Sequence, residues 1–557
     1  MKISAILAVA SLSCLGAVAS ATAATQPAAP PGSYRLSCYG AAVTGDSLSA
    51  QCQTLAGNYQ SSTLAPLGQC ENAVIKGGDI ANANGNLVCV PDLPQVVSGE
   101  PFPQPETTIN SWVYGGNTAA LYRHSWALWA GLTDFTGTVN GTPVRAFQTW
   151  ATPSNMIYRI QSGIGFDAVR GTMLLDKSRL LHPRGMFELQ RPHQFRNLKP
   201  RLKAAQSVPD GDTNIFVAVA YNPAAAKHAI SNKLFLQSTL NGYLKQGYTQ
   251  MPVFPASAIT IKPVYKIVQK NESGGNVQNG IYTMPGWPGT PSPAKTFPEP
   301  DWGACVYVDI RNAGRSGSSI DQGCTGRTAA STFHLGDFIS HTITAAEVAG
   351  IAGQTGMQVS AGDIAILVGM HVGTREATRW TWQTFWWAAN PAQPFAPSSS
   401  TIAAARPSVL DAAASHYAMA VAYQMVAPAQ PIIGGQSVGT SVIAYNPHLE
   451  AGFDPGVFQA KGTINDNGTI INNIYGVQTN CMSCHGESQY QSTPHYYAIN
   501  DGANRENPYA ADFYFSLNDP SFNGKLQLDF AWSILGSLVL DDDNGASAKP
   551  VASHKGK

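Results

Sequence analysis

The stretch Thr479-Asn480-Cys481-Met482-Ser483-Cys484-His485 sets two cysteines three positions apart and places a histidine directly after the second. With 9 Cys and 12 His in 557 residues, the expected number of chance matches to Cys-x-x-Cys-His is on the order of a few in a thousand. A zinc site would need a second Cys or His pair at matching spacing, and no such pair stands nearby in the sequence. The fold around this stretch must therefore bring two thiols and one imidazole to one place.

This spacing is the attachment pattern of c-type haem. Two thiols add across the two vinyl groups of the porphyrin, and the histidine that follows is held against one haem face, where its imidazole ligates the iron. In this motif the chain resembles a c-type cytochrome. The resemblance implies one covalent haem c on Cys481 and Cys484, with His485 as the proximal iron ligand.

The N-terminus has the three parts of a secretory signal peptide. A short positive region, Met1-Lys2, precedes an apolar run over residues 5–18, and Ala21-Thr22-Ala23 has the small-x-small form of a cleavage site. We therefore assign residues 1–23 to a signal peptide. The alternative is a lipoprotein anchored at Cys14, but the residues before it form a poor lipid-attachment sequence.

The rest of the sequence predicts an exported protein without a membrane span, because no later stretch is long and apolar enough to cross a bilayer. Only 12% of residues are charged, and Lys+Arg equals Asp+Glu at 34 each. This balance argues against nucleic acid or an anionic membrane as a partner. We expect a periplasmic or secreted protein whose partner is a redox protein or a small-molecule substrate.

Six cysteines remain outside the motif when Cys14 is set aside, and an even number in an oxidising compartment predicts three disulfides. Their order along the chain favours the pairs Cys38–Cys52, Cys70–Cys89 and Cys305–Cys324, although the sequence alone leaves the connectivity open.

Composition divides the chain into a small unit and a large one. The predicted fold class is α+β and β-rich, with a disulfide-stapled β module that precedes a large mixed domain. The predicted segments after the signal peptide are a disordered leader over 24–32, the module over 33–92, a Pro-rich linker over 93–108, the large haem-containing domain over 109–540 and a disordered tail over 541–557. The linker predicts that the module can be deleted without loss of haem.

The module resembles one repeat of a cyanovirin-N-type lectin. The residues that carry the resemblance are Ser37-Cys38, Leu48, Ala50, Cys52, Leu64, Ile80, Asn82, Asn84-Gly85-Asn86 and Leu87. The resemblance implies a β fold with a Cys38–Cys52 disulfide, and it implies glycan binding. Members normally carry two repeats that exchange strands, whereas this chain has one, with an insertion over 65–79.

Periodicity within the large domain predicts several elements that matter for the site. Strands are expected over 259–268, 365–372 and 378–387, the last with Trp380, Trp382 and Trp386 on one face. Their indoles suit core packing better than a stacking platform for a substrate. Helices are expected over 223–246, capped by Asn222, and over 409–425.

The second axial ligand of the iron stays open in the sequence, because no Met follows Met482. On the predicted helix over 409–425, His416 and Met419 would share a face and are the first choice. The alternatives are His495, His371 at a strand end, and no protein ligand.

The sequence therefore predicts a mono-haem c-type cytochrome that transfers electrons outside the cytoplasm. One alternative is a haem-dependent oxidoreductase that acts on an unknown substrate. The other is a surface glycan-binding protein in which the haem is structural or sensory. No motif identifies a substrate, so the sequence leaves open whether the protein is an enzyme.

Overall fold

The computed structural model describes residues 28–139, 141–165, 181, 184–185, 187–192, 214–271, 275–295, 297–311, 317–429, 439–452, 463–466, 468–472, 476–492, 514 and 516–541. Within these residues the chain is a mixed, β-rich structure, as predicted. The predicted signal peptide and His495 lie outside them.

The N-terminal unit consists of a three-stranded antiparallel sheet, a helix and a hairpin, formed by β1 (Cys38–Thr44), β2 (Ser47–Gln53), β3 (Tyr59–Leu64), α1 (Leu67–Ile75), β4 (Asp79–Ala83) and β5 (Asn86–Val90). The Cys38–Cys52 disulfide joins β1 to β2, and the Cys70–Cys89 disulfide joins α1 to β5. Both predicted pairings are confirmed, so the two crosslinks hold the sheet and the hairpin together as one unit.

The hairpin β4–β5 belongs to two cores at once, because alternate residues of a strand face opposite sides. Ile80 and Leu87 complete the core of the N-terminal unit. The opposite face packs into the main core of the large domain through Ala81, Ala83, Val88 and Val90. The two units therefore share a structural element rather than only a covalent connection.

The described part of the leader and the linker after the N-terminal unit both contact the folded chain. In the predicted leader, the carbonyl oxygen of Pro30 accepts a hydrogen bond from the Tyr34 hydroxyl at 2.8 Å. In the predicted linker, Leu93 is buried in the main core, and a helix begins at Glu106. The Pro-rich linker is therefore packed against the large domain instead of forming a free connection.

The first part of the large domain is largely helical. It contains α2 (Glu106–Tyr114), α3 (Thr118–Thr133), β6 (Phe135–Val139), β7 (Thr142–Arg145), α4 (Pro153–Gln161), β8 (Phe216–Val217), β9 (Ala220–Tyr221), α5 (Pro223–Ser231) and α6 (Gln237–Lys245). Asn222 caps α5 as predicted, since its side chain accepts from the Ala225 amide at 3.0 Å. The single helix predicted over 223–246 is wrong, because the chain turns at Lys233, whose φ is 50°.

Two sheets follow, built from β10 (Ile259–Val268), β11 (Val277–Gln278), β12 (Ile281–Pro285), β13 (Ala304–Asp309), β14 (Asp321–Gln322), β15 (Thr332–His334), β16 (Ser340–Thr342), α7 (Ala345–Thr355), β17 (Ile364–Thr374), β18 (Thr381–Trp387), α8 (Ser400–Ala404) and β19 (Tyr417–Ala422). The central sheet has the order β19–β18–β17–β10–β8, with β16 beside β17 and β9 beside β10. The second sheet has the order β11–β12–β13–β14, with β15 parallel to β13. The third predicted disulfide, Cys305–Cys324, is confirmed in this second sheet.

The helix predicted over 409–425 is wrong. The chain forms a short 3-10 turn over Ala414–His416 and then enters β19, which pairs antiparallel with β18. Its small apolar residues Ala418, Ala420 and Ala422 fit a helix or a strand by pattern alone. The backbone groups of β18 need a partner on this side, and that tertiary requirement outweighs local propensity.

The C-terminal part wraps around one face of the central sheet. It contains β20 (Val426–Ala427), β21 (Thr440–Ser441), a π-helical turn over Pro447–Ala451, β22 (Thr463–Asp466), β23 (Thr469–Asn472), α9 (Cys481–Gly486), β24 (Gln489–Tyr490), β25 (Leu526–Gln527) and α10 (Trp532–Gly536). Trp380, Trp382 and Trp386 are buried in the core beneath these segments, as predicted. Of the predicted tail, Asp541 accepts from the Ser238 amide at 2.8 Å, and the residues after it lie outside the described chain.

Candidate functional site

The motif Cys481–His485 lies in the short helix α9 and is anchored by the residue before it. The side-chain oxygen of Asn480 accepts from the Ser483 amide at 2.9 Å. Its side-chain nitrogen donates to the carbonyl of Val442 at 2.7 Å and to that of Gln424 at 3.0 Å. Asn480 thus caps the helix and ties it to the segments that follow β19.

The two motif cysteines are set apart from the other cysteines that the structure describes. All six of the others form disulfides, whereas Cys481 and Cys484 do not. Burial raises the pKa of both motif thiols, so both are protonated at neutral pH. Within the described chain no group of three or more His, Cys, Asp or Glu could hold a metal ion. In the described chain the pair therefore belongs neither to a disulfide nor to such a metal cluster.

His485 is held in one tautomer. Its Nδ1 lies 2.9 Å from the carbonyl oxygen of Phe530, and a carbonyl can only accept, so Nδ1 carries the proton. Burial lowers the pKa of His485 to about 3, which keeps the imidazole neutral. The lone pair is then on Nε2, the arrangement that a metal-ligating histidine requires.

The face of the His485 ring is fixed by Trp382. The two rings are stacked, with 4.0 Å between centroids and 28° between planes. On the sheet, Trp382 lies over Gly373, its cross-strand partner, where an added Cβ would come within 2.8 Å of the indole. The absence of a side chain at position 373 therefore lets the indole lie low on the sheet and support the imidazole.

A buried ion pair holds the turn that supplies the Phe530 carbonyl. Asp529 and Phe530 have φ of 44° and 67°, values in the left-handed region that ordinary residues seldom adopt. The Asp529 carboxylate accepts from Arg375 Nε at 3.1 Å and from the Phe254 amide at 2.9 Å. These contacts stabilise a backbone conformation that aims the carbonyl at His485.

A cavity opens beside the motif. Its volume is about 100 Å³, and Cys481, Cys484 and His485 lie in its wall. Trp382 and Phe530 supply apolar surface to the same wall. The wall therefore combines the thiols and the imidazole of the motif with apolar side chains.

Three ionisable side chains, Lys262, His371 and Glu450, line the cavity as well. His371 Nε2 lies 3.4 Å from Glu450 Oε1, and Glu450 Oε2 accepts from the Asn446 amide at 2.7 Å. Burial opposes ionisation of Glu450, but His371, the Asn446 amide and Lys262 together lower its pKa. Burial lowers the pKa of Lys262, and Glu450 opposes this shift.

The residues present suit a c-type haem. Two protonated thiols and an imidazole with its Nε2 lone pair available lie in the wall of one cavity. The cavity also offers a cation, Lys262, for the carboxylate groups that haem carries. The three motif residues named by the sequence are therefore brought together, while the sequence did not reveal Lys262, Glu450 and Phe530.

The first-choice distal ligands, His416 and Met419, lie elsewhere. His416 Nε2 is 3.3 Å from Asp337 Oδ1, and Met419 pairs with Phe385. Positions 382 and 385 face opposite sides of β18, so Met419 lies across the sheet from the cavity. Among the sequence candidates, His371 lines the cavity, whereas His495 lies outside the described residues.

No protein-family model matches the sequence, and searches of curated proteins and of solved structures each return no similar protein. In the described part of the chain, no helix combines the length and apolar character needed to cross a membrane. The functional argument therefore depends on the site itself.

Proposed function

We propose that this protein is an exported mono-haem c-type cytochrome that binds haem covalently through Cys481 and Cys484 and transfers electrons in the periplasm. The observation that carries the proposal is the orientation of His485. Its Nδ1–H is committed to the Phe530 carbonyl, so Nε2 remains for iron beside two thiols that form no disulfide. When bound, the haem supplies an iron centre that accepts and releases one electron.

The chain's own residues orient and tune such a centre. The Phe530 carbonyl accepts the Nδ1 proton and raises the basicity of the imidazole. Trp382 fixes the rotation of the ring through stacking. The three disulfides are typical of an oxidising compartment, which supports the periplasmic assignment.

A test is expression with its signal peptide in a bacterium that has a c-type haem-attachment system. We expect haem that acidified acetone fails to extract, and a reversible one-electron reduction in a redox titration. The Cys481→Ser, Cys484→Ser double variant should lose the attached haem, whereas Cys305→Ser, Cys324→Ser should retain it. Haem that is extracted from the unaltered protein would contradict the proposal.

Glycan binding by the N-terminal unit is a second candidate function. Its support is a three-stranded sheet followed by a hairpin, with the Cys38–Cys52 disulfide across the first two strands, which agrees with the resemblance to one cyanovirin-N-type repeat. A glycan array probed with the full-length protein tests this. Failure of the protein to bind any glycan on the array would contradict this second candidate function.

A further inference from the structure

We propose that His371 would serve as the second protein ligand of the haem iron, in addition to His485. This assignment rests on the proposed covalent haem and names one further residue that would hold it. It follows from the position of His371 on the sheet, from the contacts of its ring and from the contacts of the other candidate residues.

The central sheet places His371 close to the proximal histidine. His371 pairs with Lys262 on β10 and with Thr384 on β18. Trp382 is two residues before Thr384 on the same face, and such diagonal neighbours lie about 7–8 Å apart. Because His485 stacks on Trp382, both histidines stand beside the same indole and line the same cavity.

The Nε2 atom of the His371 ring lies beside the Glu450 carboxylate but lacks a hydrogen bond. The His371 side chain is 12% exposed, and its Nε2 is buried without a hydrogen-bond partner. Glu450 Oε1 lies 3.4 Å from Nε2 and forms an ion pair with the ring, but the contact is not a hydrogen bond. Buried imidazole nitrogens are normally satisfied, so a ligand in the cavity would supply the partner that Nε2 lacks.

Other residues of the described chain that could ligate iron are placed less well. His485 and His371 line the cavity, but the remaining described histidines do not: His124, His228, His334, His341, His416 and His448. No methionine in the described ranges lines it either. Lys262 is the other candidate for the second iron ligand, because it pairs with His371 across the two strands and lines the cavity.

The wild-type holoprotein decides the ligand class. Mass spectrometry first establishes covalent haem, and electron paramagnetic resonance and near-infrared magnetic circular dichroism then report the axial ligands. We expect a low-spin ferric iron with two nitrogen ligands of the imidazole type and no carbon monoxide adduct on reduction. A high-spin iron, or an amine or sulfur signature, would overturn the assignment. A wild-type protein without covalent haem would overturn the proposed function itself.

Variants identify the residue. His371→Ala should lose the low-spin signal, bind carbon monoxide when reduced, and recover a low-spin spectrum on addition of imidazole. His416→Ala is the matched control, because His416 lies outside the cavity, and it should keep the wild-type spectrum. A low-spin spectrum that persists in His371→Ala, or one that is lost in His416→Ala, would overturn the proposal. If His371→Ala fails to take up haem, His371→Met replaces it, and its spectrum should change from two nitrogen ligands to one nitrogen and one sulfur ligand; an unchanged spectrum would overturn the proposal.

Discussion

His485 Nδ1 lies 2.9 Å from the carbonyl oxygen of Phe530, and this hydrogen bond decides which imidazole nitrogen faces the cavity. The two residues are 45 positions apart in the sequence, and the acceptor has a left-handed backbone. A carbonyl in this role makes the imidazole a stronger donor to a metal. The predictions below follow from the contacts that hold this pair.

Replacement of Trp382 by alanine should loosen the proximal imidazole. The indole is 3% exposed, so we expect a loss of about 3–5 kcal/mol in the free energy of unfolding. Covalent haem should remain, while the reduction potential shifts and the Soret band broadens. Trp382→Phe keeps an aromatic face and should change each quantity less. Equal effects of the two substitutions in a redox titration would contradict the stacking role.

Breaking the Arg375–Asp529 ion pair should release the turn that carries the Phe530 carbonyl. The Asp529 side chain is fully buried and that of Arg375 is 13% exposed, so Arg375→Met leaves an uncompensated buried charge. We expect a stability loss of about 3–5 kcal/mol and a higher reduction potential, because the imidazole loses basicity. The control is Arg123→Met, whose ion pair with Glu100 is 55% exposed at the arginine. A potential unchanged from wild type in Arg375→Met would count against this coupling.

Acid should lower the free energy of unfolding of the haem-free chain, because His485 takes up a proton on unfolding. Burial lowers the pKa of this group to about 3 in the folded state, against about 6.5 in the unfolded chain. Between these values the unfolded chain binds a proton that the folded chain does not. Stability should therefore be complete above about pH 6.5 and should fall with decreasing pH, by up to about 1.4 kcal/mol per pH unit. Chemical denaturation of the Cys481→Ser, Cys484→Ser chain measures this slope, and His485→Gln should reduce it. An equal slope in both chains would exclude His485 as its source.

Deletion of the module should destabilise the large domain, because the two units share the hairpin β4–β5. The sequence predicts that residues 33–92 can be removed without loss of haem, but β4–β5 contributes Val88 and Val90 to the main core. We expect the deletion variant to be unstable, and both Val90→Ala and Leu87→Ala to lower a single unfolding transition. Differential scanning calorimetry checks this. A deletion variant that folds and keeps its haem would show that the sequence-based prediction is right.

The sequence predicts only those site residues that lie close together along the chain. The motif lies within five residues, and alternation predicts the strand Ile259–Val268 with its observed bounds. Lys262 interrupts that apolar strand and was a signal that something polar faces its side chain. Phe530 gave no signal, because its contribution is a backbone carbonyl. The helix predicted over 409–425 is wrong because alanine-rich segments carry little information about period. The pairing of β19 with β18 at the sheet edge depends on tertiary contacts that the sequence does not display.

The most direct measurement is the mass of the denatured, mature protein after expression with a c-type haem-attachment system. The account predicts that the protein carries the added mass of one haem, that the added mass maps to the peptide containing Cys481 and Cys484, and that it is absent when both are serine. A denatured wild-type protein with the mass of the bare polypeptide, from cells that attach haem to a control cytochrome, would contradict the account.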